Sequence, residues 1–232
     1  MKVDKFFLQP AFVLHTRSYR ETSLLVDFFT LDCGRISAVA KGARRRCSIF
    51  KGILSPFVPL LAGFSGNGEL KILVKAETEG ARYELINKAL FSGLYLNELL
   101  MRVLLFNEAY PELYLAYQRI LGELATLENL EENLRRFEKT LLVTLGYGLQ
   151  LNCTAKNEPI LEQSRYGFKF GVGIFRFDGD DNGDSFLGSS LLALEKGELT
   201  TVEALRDAKR LLRLALKAVL GNKTIKSREL FI

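Results

Sequence analysis

The apolar residues of this chain change their spacing once, near residue 80, and that change limits the fold more than any other feature. Before it, short runs alternate with a period of two: Ala11–Thr16, Ser23–Thr30, Arg35–Lys41, Phe57–Phe64 and Glu69–Ala76. Asp32-Cys33-Gly34, Gly42 and the stretch Gly63 to Gly68 separate them as turns. Period two places successive side chains on opposite faces of a strand. Arg35, Ser37, Val39 and Lys41 therefore share one face, and Ile36, Ala38 and Ala40 the other. In the last run Leu70, Ile72, Val74 and Ala76 are expected on one face, with Lys71 and Lys75 opposite. Five short strands suit a small closed barrel better than a sandwich, which needs about seven. A barrel of this size is the usual form of an OB-fold. An SH3-like barrel, or a meander packed on helices, is the alternative. Pro56 and Pro59 suit an edge or entry position of their strand.

From about residue 87 the period becomes helical. Leu90, Leu94, Leu100, Val103 and Leu104 recur, and Tyr95, Leu96, Leu99 and Phe106 widen the apolar face. Pro111 opens a second helix over Leu113–Leu127, and residues 131–145 form a third that Gly146 and Gly148 end. Residues 150–190 break the pattern: Tyr166, Phe168, Phe170, Val172, Ile174 and Phe175 lie among glycines, and Asp178–Asp184 is a polar turn. This reads as a β-hairpin insertion. Thr200 or Thr201 can cap a last helix, Thr200 with Glu203 fitting a capping box. The expected fold is α+β: an OB-fold domain over 1–80, then a helical domain over 81–232 with a small hairpin insertion at about 150–190.

Charge is unevenly placed. Residues 1–80 carry 12 Lys/Arg against 7 Asp/Glu, residues 81–200 carry 12 against 17, and residues 201–232 carry 8 against 3. Two basic ends around an acidic centre point to a polyanionic partner. At the first end the alternating run Arg35–Lys41 enters Gly42 and then Arg44, Arg45, Arg46 and Lys51. At the other, Arg206, Lys209, Arg210, Arg213 and Lys217 fall within about 100° of arc on the last helix, with Leu205, Ala208, Leu212, Ala215 and Val219 opposite. Either cluster reads as a phosphate-facing surface or as an ordinary solvated face.

Catalytic patterns do not assemble. His15 is the one histidine, and no GxxxxGK[ST] loop or GxSxG elbow occurs. Asp178, Asp180, Asp181 and Asp184 resemble a calcium loop, but its twelfth position is Ser189 where a bidentate Glu is needed. Cys33, Cys47 and Cys153 are scattered without a CxxC pair, as expected of reduced thiols in a cytoplasmic protein. No secretory signal and no apolar run of ~18 residues are read, so no membrane span is expected. Two competing classes stay open on this reading: a barrel that serves RNA, in translation or RNA metabolism, and a hydrolase whose site is not apparent.

The landmarks also resemble a family. Ala11-Phe12-Val13-Leu14-His15, Glu21-Thr22-Ser23-Leu24, Gly34-Arg35, Ala40-Lys41-Gly42-Ala43-Arg44, Lys51-Gly52 and Pro56-Phe57 with Pro59-Leu60 are similar to RecO, the bacterial DNA repair and recombination mediators. The likeness continues through Ser92-Gly93-Leu94-Tyr95-Leu96-Asn97-Glu98-Leu99-Leu100, Arg135-Arg136-Phe137-Glu138, Leu145-Gly146-Tyr147-Gly148 and Lys226-Ser227-Arg228-Glu229-Leu230. It is their joint order along nearly the whole chain that makes the match specific.

This resemblance implies an OB-fold followed by a helical domain, and no catalytic residue. It implies binding of single- and double-stranded DNA, annealing of complementary strands, and help in loading RecA onto DNA coated by single-strand binding protein. RecR and the acidic, apolar tail of the coating protein are the implied partners, at the nucleoid of a bacterial cytoplasm. Many members carry four zinc-binding cysteines in the insertion; here only Cys153 lies there, so no zinc or other cofactor is expected and aromatics should hold the hairpin. The DNA-facing candidates are Arg35, Lys41, Arg44, Arg45, Arg46 and Lys51, with Lys71 and Lys75 second and the stripe Arg206, Lys209, Arg210, Arg213 and Lys217 extending them. Arg135 and Arg136 beside Phe137 are the candidates for the partner's tail.

Overall fold

The computed structural model describes residues 7–179 and 185–231. The chain forms two compact units, Met1–Thr126 with Thr224–Ile232, and Leu127–Lys223. In the first unit, β1 (Leu8–Tyr19), β2 (Ser23–Thr30), β3 (Gly34–Ala40), β4 (Pro59–Ser65) and β5 (Leu70–Thr78) close into a barrel in the order β1-β2-β3-β5-β4. Closure comes from a short parallel pairing of β3 with β5 and an antiparallel pairing of β1 with β4. Closing the sheet leaves no long unpaired edge. Small and large side chains mix inside: Ala38 and Ala62 beside Phe28, Leu60 and Leu73 are all buried.

The expected facing of β5 is wrong by one residue over half its length. Leu73 is buried, whereas Leu70 and Val74 are 44% and 37% exposed. The cause is a bulge: the β4–β5 register slips between Gly63 and Phe64, so Leu73 pairs with Phe64 while Lys75 pairs with Gly63. An extra residue on one strand reverses the alternation beyond it.

Residues 41–58 join β3 to β4 without regular structure, yet Phe50, Leu54 and Val58 belong to the barrel core. Their burial ties the connection down. Helices α1 (Asn87–Val103) and α2 (Pro111–Ala125) pack on the outside of the barrel. Tyr114 and Tyr117 meet the rings of Phe12 and Phe29 at 5.2–6.0 Å between centroids. The buried Asn97 donates to the Leu14 carbonyl at 3.0 Å and accepts from the Tyr117 hydroxyl. Gly93 allows the close approach, since a Cβ there would come within 2.6 Å of Leu85 and 2.9 Å of the Phe57 ring. The compact unit thus does not end where the period changes. It also takes in a final 3₁₀ turn, Lys226–Phe231, whose first amides donate to the Glu98 carboxylate at 3.1 and 2.8 Å.

The second unit holds α3 (Leu130–Thr144), a three-stranded sheet β7-β6-β8 made of β6 (Arg165–Lys169), β7 (Gly173–Arg176) and β8 (Phe186–Leu187), then α4 (Gly188–Lys196) and α5 (Val202–Leu220). The expected hairpin is β6–β7. The residues Asp180–Asp184 of the expected polar turn lie outside the described residues. Helix α4 was not expected, because nothing polar caps its start. Lys139 on α3 closes its other end, donating to the Leu194 and Glu195 carbonyls at 3.3 and 2.7 Å. Thr201 caps α5, its hydroxyl accepting from the Ala204 amide at 3.1 Å. No helix among the described residues is long and apolar enough to cross a membrane.

Candidate nucleic-acid interface

The β3–β4 connection presents its charges outward. Lys41, Arg44, Arg45, Arg46 and Lys51 are exposed. Successive turns shape the backbone: the Arg45 amide donates to the Gly42 carbonyl at 3.0 Å, Ser48 to Arg45 at 3.2 Å and Lys51 to Ser48 at 3.2 Å. Gly42 supplies the left-handed conformation (φ 68°) that starts the series. The Arg44 amide donates to the Thr22 carbonyl at 2.8 Å, fastening the loop to the β1–β2 turn. Among the described residues none of these five cations forms an ion pair. Anchored below by Phe50 and Leu54, the loop holds positive charge in place without neutralising it.

Arg35 lies ten residues from Arg45 and has the opposite fate. Its guanidinium pairs with Asp27 at 3.3 Å, donates to the Met101 carbonyl and lies 4.2 Å from the centre of the Phe106 ring. Ser37 donates to the same Asp27 carboxylate. The alternation places Arg35 outward, as expected, but the α1–α2 connection covers that face, so Arg35 does not enter the surface proposed below. Lys71 is half-buried and Lys75 pairs with Glu77 at 2.7 Å on the surface.

The stripe on α5 is partly consumed. Arg206 lies 3.9 Å from Glu203, and Lys209 pairs with Glu131 on α3 at 3.0 Å. Arg210 pairs with the buried Asp207 at 3.1 Å, donates to the Ser185 carbonyl at 3.2 Å and stacks 4.8 Å over Phe186. Asp207 in turn accepts from the Leu187 amide at 3.2 Å. This pair therefore pins β8 to α5, and Arg210 does not enter the proposed surface. Arg213 and Lys217 are exposed and make no ion pair among the described residues.

Of the three candidates for a partner's tail, Arg135 is buried and ion-paired with Glu138 at 3.1 Å, and Phe137 belongs to the core. Only Arg136 is exposed, donating to Asn133 at 2.8 Å. None of them lines the cavity of about 470 Å³ in this unit, whose walls include Tyr147, Cys153, Phe168, Phe170 and Val172.

The insertion does not fit a zinc ion. Cys153 is the one thiol between residues 150 and 190, with no histidine beside it, and among the described residues no three His, Cys, Asp or Glu converge. Hydrogen bonds shape the turn there instead. The Thr154 hydroxyl accepts from the Lys156 and Glu158 amides at 3.3 and 3.2 Å, and the Thr154 amide donates back to Glu158 at 2.8 Å. Tyr166 and Phe186 are buried in the small sheet, and the Tyr166 hydroxyl accepts from the Leu161 amide at 2.8 Å.

Residues 1–82 match the family described as recombination protein O N terminal, and residues 88–229 match recombination protein O C terminal. The DNA repair protein RecO of Actinobacillus pleuropneumoniae serotype 7 is 48% identical over 222 residues, covering 95% of this chain and 92% of that protein. That of Salmonella dublin is 46% identical over 225 residues (96% and 93%), and that of Aliivibrio fischeri 43% over 226 residues (97% and 95%). With both halves matched in order on a closed five-stranded barrel followed by helices, the chain belongs to the recombination protein O family of DNA repair proteins.

Proposed function

We propose that this chain is a non-catalytic mediator of homologous recombination at the bacterial nucleoid. It binds single- and double-stranded DNA, anneals complementary strands, and helps load RecA onto DNA coated by single-strand binding protein, in partnership with RecR. The observation that carries the reading is the anchored loop of five exposed cations without an ion pair among the described residues, on a barrel of DNA-repair kinship.

Lys41, Arg44, Arg45, Arg46 and Lys51 are the main phosphate contacts, with Lys71 and Lys75 second. Arg206, Lys209, Arg213 and Lys217 add a further surface. Residues 1–80 carry most of the DNA contact and residues 81–232 the partner contacts. Phosphate neutralisation is nearly blind to sequence and falls with salt, the logarithm of affinity dropping by about 0.7–0.9 per contact for each decade of salt. Annealing follows from the same chemistry, because two strands repel until their charge is screened. The acidic tail of the coating protein is assigned to the surface around Arg136, and an Arg136→Glu change that leaves tail-peptide affinity intact removes that assignment.

The test follows two labelled complementary strands, coated with single-strand binding protein, with and without the protein across a salt series and without nucleotide. Acceleration that fades as salt rises is expected. A folded protein that neither binds DNA nor speeds annealing overturns the reading.

A further inference from the structure

The cationic loop is not alone at its end of the barrel. In the β1–β2–β3 ladder Leu24 faces Ala40, so the turn Arg20–Thr22 lies beside Lys41. The loop closes onto that turn through the Arg44 amide on Thr22 at 2.8 Å, and the Arg44 guanidinium reaches the Arg20 carbonyl at 3.4 Å. Two further arginines lie in that turn or on the strand that leads into it. Arg17 is exposed on β1, and Arg20 is exposed in the turn. Neither forms an ion pair among the described residues. Glu21 is the turn's one carboxylate and is paired with neither.

Arg20 is an unusual occupant. Its φ is 52°, the left-handed region in which glycine or asparagine is the low-strain choice for a tight hairpin. Its guanidinium rests 5.2 Å from the Tyr19 ring centre, which limits its freedom while leaving N–H groups at the edge for an anion. In OB-fold barrels the β1–β2 loop belongs to the face that binds oligonucleotides.

We propose that Arg20, with Arg17 three residues before it on β1, is a phosphate-binding ridge that completes the surface begun by the β3–β4 loop, so that a nucleic-acid backbone is held from two sides of one barrel end. This inference rests on the DNA-binding reading above. The Arg44 contacts tie the loop to the turn, and the Tyr19 ring lies against the Arg20 guanidinium.

The experiment measures DNA affinity against salt for the intact chain and for Arg20→Gly, Arg20→Gln, Arg20→Lys and the triple variant Arg44→Glu, Arg45→Glu, Arg46→Glu. Arg20→Gly relieves the left-handed backbone, so its fold survives, and thermal unfolding verifies this. The expected result is a several-fold loss for Arg20→Gly and Arg20→Gln, with the salt slope shallower by about one contact, and partial recovery in Arg20→Lys. If the Arg20 variants bind as the parent does while the triple variant fails, the ridge proposal is overturned and the loop reading stands. If the triple variant also binds as the parent does, the loop reading falls and the ridge falls with it.

Discussion

The β3–β4 loop and helix α5 each carry five lysines and arginines, and they use them differently. In the loop none is ion-paired among the described residues; on α5 Arg206, Lys209 and Arg210 each have a carboxylate. The cause is local geometry. A helix brings residues three apart together, so Glu203 and Asp207 automatically reach Arg206 and Arg210. A loop of one sign, raised on buried Phe50 and Leu54, meets no such partner. A census of charge therefore overstates what α5 can offer a polyanion and fairly describes the loop.

The sharpest way to break this comparison uses Arg35, which shares the loop's charge but lies in a covered ion pair. Arg35→Met leaves Asp27, only 7% exposed, without its guanidinium. A broken buried pair costs about 3–5 kcal/mol, read by urea denaturation, whereas the salt slope of DNA binding stays unchanged in the folded fraction. The triple loop variant should do the reverse. Exposed positions change stability by less than about 0.5 kcal/mol, while affinity falls more than tenfold and the slope flattens by roughly two to three contacts.

The same contrast runs along α5. Arg210→Gln removes the pin between β8 and α5 and should cost about 1–2 kcal/mol of stability, since its bonds are charge-assisted but part-exposed. Its effect on the salt slope should be nil. Arg213→Gln with Lys217→Gln should leave stability alone and flatten the slope by roughly one to two contacts if α5 touches DNA. A slope change in Arg210→Gln would mean that ion pairing does not decide which cations DNA meets, and none in the double variant would mean that α5 does not touch DNA.

Most of the barrel was legible because period two, glycine turns and aromatic burial all agree there. Leu73 was missed because a bulge opposite Gly63 reverses the alternation, and no residue type announces it. Helix α4 was missed because Gly188 starts it; a Cβ at that position would come within 2.0 Å of the Leu161 carbonyl oxygen, a reason visible only in three dimensions. Arg35 was placed on the correct face, but what covers that face arrives some 70 residues later as Met101 and Phe106. Arg20 was overlooked for a related reason: it joins Arg44 only through strand pairing. Sequence spacing thus gave which residues are charged and which way they point, whereas availability depended on distant segments.

The smallest effect concerns a carboxylate whose task is not to neutralise a side-chain surface. Glu98 is 19% exposed at its side chain and, besides Arg102 at 3.3 Å, accepts from the Lys226 and Ser227 amides. Partial burial would raise its pKa, but those two amides and Arg102 together hold it below the usual glutamate value. A folded-state pKa below the unfolded one stabilises the turn above the unfolded value, and this support is lost as pH falls through the folded one. Hydrogen exchange at the 226–227 amides should therefore stay protected from neutral pH down to the glutamate range and open below it. Glu98→Gln should loosen those amides already at neutral pH, by about 1 kcal/mol for the lost charge assistance. The β3–β4 loop contains no carboxylate, so its DNA contacts should show no matching step in the parent or in Glu98→Gln. A parallel step in both would mean that the C-terminal turn and the cationic loop are energetically one element, and the distinction drawn between paired and unpaired charge would have to include it.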